Sequence, residues 1–219
     1  MFRLDSGGCW RRLMAEITAL FWDVGGVVLT NGWDREGRRR AAEQFRLDWE
    51  DVRSRHEMLS ADFETGRLTL EQYLDRTIFY RARPFSKDEF KAFLFAQSQP
   101  RQDTLAIVER LAASGKYRMA TLNNESLELN LYRIEQFRLR NYFSAFFSSC
   151  FLGVRKPDCA IYRMALQIAQ RTPEESLFID DRPLNLECAR LLGMSTIHYQ
   201  NTAQLRNELQ RIGVEVDSQ

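Results

Sequence analysis

The chain has 219 residues, of which 44% are hydrophobic and 28% are charged, a composition typical of a globular protein with one large core and a smaller appended unit. Lys and Arg number 31 and Asp and Glu number 30, so the net charge of +1 argues against a nucleic-acid or membrane partner and favours a small molecule. The first residues contain no apolar segment of signal-peptide length, and no apolar run reaches the about 18 residues of a membrane span, so a cytoplasmic location is expected.

The four cysteines are expected to be free thiols. They lie far apart in the sequence and form no CxxC pair, and Cys150 and Cys188 lie in apolar segments that are typical of buried thiols. Structural disulfides are therefore not expected.

The first predicted element is a buried strand within the apolar run 17–29. Asp23, Gly25 and Gly26 interrupt this run and indicate a tight turn after the strand. The next segment, 33–99, is charged and rich in aromatic residues at helical spacing, without a plausible strand. Four helices are predicted in it, and their first residues lie near Asp34, Asp48, Thr69 and Ser86.

After Pro100 the predicted elements alternate between helix and strand. Helices are predicted at 103–114, 125–137, 158–170 and 183–192, and strands at 117–122, 146–150, 176–179 and 196–199. Repeated helix and strand units require a parallel sheet with right-handed crossovers. The sequence therefore predicts an α/β fold, with a doubly wound, Rossmann-like core of residues 1–32 and 100–219 and a helical cap of residues 33–99.

Three of the predicted strands end on an acid or a hydroxyl. These residues are Asp23, Thr121 and the pair Asp180 and Asp181, and Lys156 is expected nearby. The carboxyl ends of parallel strands share one rim, where open α/β sheets bind ligands. Two like charges about 4 Å apart repel by roughly 4 kcal/mol at an effective dielectric constant of about 20, so three carboxylates require a hard divalent cation, most simply Mg²⁺.

Four sequence blocks occur in an order that resembles the haloacid dehalogenase-like hydrolases with a small helical cap. The blocks are FWDVGGVV, ATLNN, GVRKPD and FIDDRPLN, and the resemblance covers residues 17–200. It implies the strand order 3-2-1-4-5 in the core and the hydrolysis of a small phosphorylated metabolite through an aspartyl-phosphate.

The resemblance also implies three catalytic roles. Asp23 would attack phosphorus as the nucleophile. The Thr121 hydroxyl would donate to a phosphoryl oxygen, and Lys156 would neutralise developing charge and hold Asp23 in line. Asn123, the backbone amide of Gly26 and Trp33 are the predicted substrate contacts.

Mg²⁺ would be held by the side chains of Asp23 and Asp181 and by the backbone carbonyl of Gly25. Asp180 is either a further ligand or an acceptor behind the ligands, and Asn185 would orient Lys156 or the acidic pair.

The chain departs from the family at Gly25, where the phosphatases of the family usually carry a second Asp that protonates the leaving alcohol. Such general acid and base catalysis is typically worth about 10²- to 10⁴-fold. Asp34, His56 and Glu64 are the candidates for a replacement. Two other functions stay open: a metal-independent 2-haloacid dehalogenase, which the doubled acids disfavour, and a catalytically weak phosphoester binder.

Overall fold

The computed structural model describes residues 2–4, 10–12 and 16–216. Strands β1 (Phe2–Leu4) and β2 (Trp10–Arg12) pair with each other in an antiparallel sheet. Within the described residues, no helix is both long and apolar enough to cross a bilayer.

The core is a parallel sheet of five strands in the described part of the chain. The strands are β3 (Ala19–Trp22), β4 (Arg118–Asn123), β5 (Ala145–Ser148), β6 (Ser176–Asp180) and β7 (Ser195–His198). Their order is β5-β4-β3-β6-β7, and every neighbouring pair is parallel. This confirms the predicted α/β class and the order 3-2-1-4-5, with β3 in the middle.

Helices cover both faces of this sheet. They are α5 (Gln102–Ala113), α6 (Leu127–Gln136), α7 (Ser149–Leu152), α8 (Cys159–Ala169), α9 (Pro183–Leu191) and α10 (Thr202–Arg211), with a 3₁₀ turn at Leu139–Asn141. On one face Leu20 and Trp22 pack with residues of α5 and α10, and on the other Ala19 and Phe21 pack with residues of α8 and α9. Fully burying a side chain such as Phe21 stabilises the fold by about 1.5–3 kcal/mol.

The cap consists of four helices between β3 and α5, as predicted. They are α1 (Arg35–Gln44), α2 (Trp49–Glu64), α3 (Leu70–Thr77) and α4 (Lys87–Ala96). Each begins after one of the predicted capping residues, whose side chains accept hydrogen bonds from backbone N–H groups of the first turn. The cap has its own apolar core around Phe63, Tyr73 and Phe90.

The expectation of free thiols is wrong for one pair of cysteines. Cys159 at the start of α8 and Cys188 in α9 form a disulfide bond, and their Cα atoms lie 5.6 Å apart. The two residues are 29 positions apart in the sequence, and only the packing of α8 against α9 brings them together. Cys150 is a free thiol, as expected, and Cys9 lies outside the described residues.

Candidate active site

The carboxyl ends of β3, β4 and β6 surround a cavity of about 80 Å³. Four residues of the sequence prediction line it directly: Asp23, Gly25, Trp33 and Lys156. Asp34 and Asn185, which were also considered from the sequence, line it as well. The rim of the sheet therefore brings together residues that are up to 162 positions apart.

Lys156 is the central cation of the site. Its ammonium Nζ lies 3.0 Å from Asp23 Oδ1 and 2.6 Å from Asp180 Oδ2, and it donates to the carbonyl of Leu122 at 3.0 Å. Burial lowers the pKa of Lys156, but the two carboxylates outweigh it, and the pKa lies above the usual value. Lys156 is therefore a fixed positive charge.

Asp23 follows the central strand directly. Its backbone N–H donates to the carbonyl of Ile179, and its Oδ1 accepts from the N–H of Val24 at 2.8 Å. Burial, together with the nearby Asp180 and Asp181, raises the pKa of Asp23 to about 7, although Lys156 acts in the opposite direction. A bound cation would act in the opposite direction and favour the ionised form that a nucleophile needs.

The side chain of Asp180 is fully occupied by hydrogen bonds. Oδ1 accepts from the N–H of Arg182 at 2.7 Å and from Asn185 Nδ2 at 3.1 Å, and Oδ2 accepts from Asn185 Nδ2 at 3.0 Å and from Lys156. These contacts use about all the acceptor sites of a carboxylate. Asn185 thus orients Asp180, and this geometry favours Asp180 as an acceptor behind the metal ligands.

Asp181 has the opposite character. Its Oδ1 is buried and has no hydrogen-bond partner among the described residues. Burial and the neighbouring Asp180 raise the pKa of Asp181. Oxygens of Asp23, Asp180 and Asp181 all lie within 4.8 Å of one another. An orphaned carboxylate oxygen within a cluster of oxygen ligands fits a hard cation such as Mg²⁺.

Gly26 is required by the close approach of Asp181. A Cβ atom on Gly26 would lie 2.2 Å from Asp181 Oδ2, and the φ angle of +84° is one that glycine adopts freely. The turn after β3 therefore positions Asp181 as well as Asp23. The predicted contact of the Gly26 amide with substrate stays a prediction.

The structure does not bring Thr121 into the cavity. Strand β4 extends to Asn123, and Thr121 pairs with Trp22, one residue before Asp23. The Thr121 hydroxyl is buried and has no hydrogen-bond partner within the described part of the chain. Asn123 lies nearer the rim, but its amide group donates to Asn130 at 3.1 Å and accepts from Ser148 at 2.8 Å. The roles predicted for Thr121 and Asn123 have no support from these positions.

The residue of this segment that reaches the site is Asn124. Its Oδ1 accepts from the backbone N–H of Lys156 at 2.8 Å, and its Nδ2 donates to the backbone carbonyl of Lys156 at 2.9 Å. Asn124 therefore fixes the backbone that carries Lys156. Asn124 was not predicted because the predicted strand ended one residue before the observed end at Asn123.

Trp33 is held by a buried network within the cap. Its indole N–H donates to the hydroxyl of Tyr73 at 2.9 Å, and this hydroxyl lies 2.8 Å from His56 Nδ1. Burial, together with the nearby Arg38 and Arg155, lowers the pKa of His56 to about 3. His56 is therefore neutral, and the cap holds one wall of the cavity in a fixed position.

Five further residues of the cavity were not predicted: Asn31, Gly32, Glu125, Arg133 and Arg182. Glu125 and Arg133 both line it, and they form an ion pair with a distance of 2.7 Å between Glu125 Oε2 and Arg133 Nη1. Glu125 precedes α6 and Arg133 lies within it, so no helical spacing in the sequence pairs these two residues.

The sequence model of the haloacid dehalogenase-like hydrolases matches residues 17–193, most of the chain. The chain belongs to this hydrolase family. The resemblance of the four sequence blocks is thereby confirmed.

Two proteins of known name are similar in sequence to parts of this chain. It is 28% identical to the chloroplast flavin mononucleotide hydrolase 1 of Arabidopsis thaliana over 162 residues, which are 74% of this chain and 65% of that relative. It is 30% identical to a sesquiterpene phosphatase of Aspergillus oryzae over 70 residues, 32% of this chain and 36% of that protein. The chain thus spans less than two thirds of either relative.

Solved structures of the family share the fold. A family enzyme from Bacteroides thetaiotaomicron has a TM-score of 0.73 at 21% identity, covering 85% of this chain and 95% of that one. A complex of the same enzyme with magnesium and inorganic phosphate has a TM-score of 0.69 at 21% identity, covering 84% and 94% of the two chains.

Proposed function

We propose that this hydrolase is a Mg²⁺-dependent phosphatase of a small phosphate monoester that acts through an aspartyl-phosphate at Asp23. The observation that carries the proposal is that Lys156 bridges Asp23 and Asp180 beside Asp181, whose buried Oδ1 has no hydrogen-bond partner in residues 16–216. The names of the two relatives and the magnesium and phosphate in the related structure support it. A small phosphorylated metabolite and a cytoplasmic location are parts of the same proposal.

The residues that would hold Mg²⁺ are Asp23 and Asp181, with the backbone carbonyl of Gly25 as predicted. When bound, the ion would neutralise the clustered carboxylates and the negative charge of the phosphoryl group. Asp180 would keep its hydrogen bonds and hold Lys156 in place.

The nucleophilic step belongs to Asp23. A carboxylate oxygen of Asp23 would form a bond to phosphorus while the bond from phosphorus to the leaving oxygen breaks. Water would then attack the phosphorus of the aspartyl-phosphate and release phosphate and the free carboxylate. Lys156 would stabilise negative charge in both steps, an effect that is strong in a buried site because little water screens it.

The proposal is tested by a phosphate-release screen over a panel of phosphate monoesters, with Mg²⁺ and with EDTA. We expect turnover with Mg²⁺, a fall to the blank rate in EDTA, recovery when Mg²⁺ is added back, and no turnover by Asp23→Asn. Activity that survives the substitution or the chelator would contradict the proposed nucleophile or the proposed metal.

The same screen separates the two other functions. Chloride release from a 2-haloacid in EDTA would indicate the dehalogenase. The cluster of Asp23, Asp180 and Asp181 disfavours it, because without a cation these carboxylates would repel an anionic substrate beside Asp23. Binding of Mg²⁺ and phosphate without multiple turnover would indicate the weak binder.

A further inference from the structure

The proposed phosphatase lacks a proton donor at Gly25, and Glu125 is the cavity residue best placed to supply one. Glu125 follows Asn124 directly after β4 and lines the same cavity as Asp23 and Lys156. At this wall its carboxyl Oε2 lies 2.7 Å from Arg133 Nη1, and its Oε1 accepts from the backbone N–H of Ser126 at 2.9 Å. This inference rests on the proposed phosphatase function.

Glu125 is fixed by a buried partner. The side chain of Arg133 is 2% exposed and that of Glu125 is 11% exposed. Arg133 also donates from Nε to the hydroxyl of Ser98 at 3.0 Å and from Nη2 to the carbonyl of Thr30 at 3.3 Å. Burying an ion pair requires removing both charges from water, so such a pair often adds little to the stability of a fold. Because the pair of Glu125 and Arg133 lies in the wall of the cavity, we interpret it as a functional pair.

Arg133 also occupies the space that faces position 25. A Cβ atom on Gly25 would lie 3.4 Å from Arg133 Nη1, the same nitrogen that contacts Glu125. A Cβ atom on Gly32 would lie 2.4 Å from Arg133 Nη2. Glycine at these two positions leaves room for the guanidinium group, which holds Glu125 beside the place that an Asp at position 25 would reach.

We propose that Glu125 is the general acid and base of the phosphatase reaction, and that Arg133 is the residue that positions it. In the first step the Glu125 carboxyl group gives its proton to the leaving oxygen as the bond to phosphorus breaks and the bond to Asp23 forms. In the second step the Glu125 carboxylate takes a proton from the water that attacks phosphorus. Glu125 is then protonated again, and Asp23 and phosphate are released.

The surroundings of Glu125 suit this cycle. Burial is the largest influence on Glu125 and raises its pKa, and Glu64 of the cap acts in the same direction. Arg133 and the backbone N–H of Ser126 lower the pKa. The net result is a pKa of Glu125 above the usual value. Cys150 of α7, whose pKa burial raises to about 12, is neutral. A phosphate dianion that enters beside Asp23 favours the protonated form further.

The three candidates from the sequence fit less well. Asp34 lines the cavity and, like Glu125, accepts one backbone N–H, here that of Gly37 at 2.8 Å, but the ion pair with Arg133 belongs to Glu125. Among the described residues, His56 and Glu64 are not part of the cavity wall. His56 also faces Tyr73, and Glu64 pairs with Arg155 at 2.8 Å.

The test compares Glu125→Gln with the wild type on two kinds of substrate. Protonation of the leaving group matters for an alkyl phosphate and matters little for 4-nitrophenyl phosphate. Because kcat/KM reports only the steps up to release of the leaving group, we expect it to fall about 10²- to 10³-fold for the alkyl phosphate and less than about 10-fold for 4-nitrophenyl phosphate. Loss of the base should also give a burst of about one nitrophenolate per active site before slow turnover.

This design holds even if the substitution weakens the fold, because the ratio of the two kcat/KM values does not depend on the fraction of active protein. Glu135→Gln, an exposed residue at the end of α6, is the matched control and should keep both values. Equal losses on both substrates, or the same signature in Asp34→Asn and not in Glu125→Gln, would overturn the role of Glu125 while the phosphatase function stands. A wild-type protein that hydrolyses neither substrate would overturn the phosphatase function as well.

Discussion

Asp180 and Asp181 are adjacent in the sequence, but their carboxylates have opposite surroundings. Asp180 accepts hydrogen bonds at both oxygens and pairs with Lys156, whereas Asp181 has a buried oxygen without a partner among the described residues. The first arrangement stabilises the folded chain and the second leaves an unneutralised carboxylate. One residue therefore supports the site and the other is suited to a cation.

This contrast predicts opposite effects of two matched substitutions. Asp180→Asn leaves Lys156 with one carboxylate partner and should lower the free energy of unfolding by about 3–5 kcal/mol, the usual cost of breaking a buried pair. Asp181→Asn removes a buried carboxylate and should change the stability in EDTA by less than about 1 kcal/mol. It should also remove the gain of about 2.7 kcal/mol that the wild type shows when Mg²⁺ is present at about 100 times its Kd.

The measurement is urea unfolding of both variants and the wild type in EDTA and over a series of Mg²⁺ concentrations. Each variant is the control for the other, since the change in charge is the same. If Asp181→Asn kept the stabilisation by Mg²⁺ while Asp180→Asn lost it, the assignment of the two carboxylates would have to be reversed.

A site residue at the end of a strand could be predicted only where the sequence shows the position at which the strand ends. Asp23 follows a short apolar run directly, so its place at the rim could be read from the sequence. The run that contains Thr121 continues as two further strand residues, and no local signal marks where it ends. The predicted strand therefore ended one residue before Asn123, and Asn124 was missed, while the role of Thr121 stays a prediction.

The cap helices show why some elements are predictable from sequence. Each has a capping residue followed by a helical pattern, and such local hydrogen bonds do not depend on the rest of the fold. Helix α10 also has a capping residue, Asn201, whose side chain accepts from the N–H of Gln204. The buried residues of α10 are only two, Leu205 and Leu209, so its hydrophobic periodicity is weak and no helix was predicted there.

The network between α2 and α3 makes the stability of the cap depend on pH. His56 has a pKa of about 3 in the folded chain and about 6.5 when unfolded, so the unfolded state binds more protons below about pH 6.5. Acidification from pH 7 to pH 5 should therefore cost about 2 kcal/mol of stability through this residue alone.

The comparison that isolates this effect is with His56→Gln, whose amide oxygen can accept the hydrogen bond of Tyr73 and does not titrate. Urea unfolding at pH 7 and pH 5 should show a smaller loss in the variant, by about 2 kcal/mol. Other groups that titrate in this range affect both proteins equally. Equal losses in the two proteins would show that His56 is not kept neutral by burial.

At the scale of the whole molecule, the sheet order follows from repeated helix and strand units, which leave few alternatives. No comparable rule predicts which cysteines of neighbouring helices form a disulfide. The bridge between Cys159 and Cys188 depends on how α8 lies on α9, and the sequence pattern does not encode the distance between two helices. Disulfides are uncommon in reducing compartments, so this bond is not typical of the cytoplasmic location that we propose.

The disulfide closes a loop across 29 positions of the chain, and the chain-entropy relation for a loop of this length gives a stabilisation of about 3–4 kcal/mol. Urea unfolding with and without a reductant should therefore differ by this amount for the wild type. Cys159→Ser cannot form the bridge, so with and without the reductant it should have the stability of the reduced wild type. Cys150→Ser should respond to the reductant as the wild type does, since Cys150 is a free thiol. A wild type whose stability is the same with and without reductant would show that the packing of α8 on α9, and not the covalent bond, holds this face of the core together.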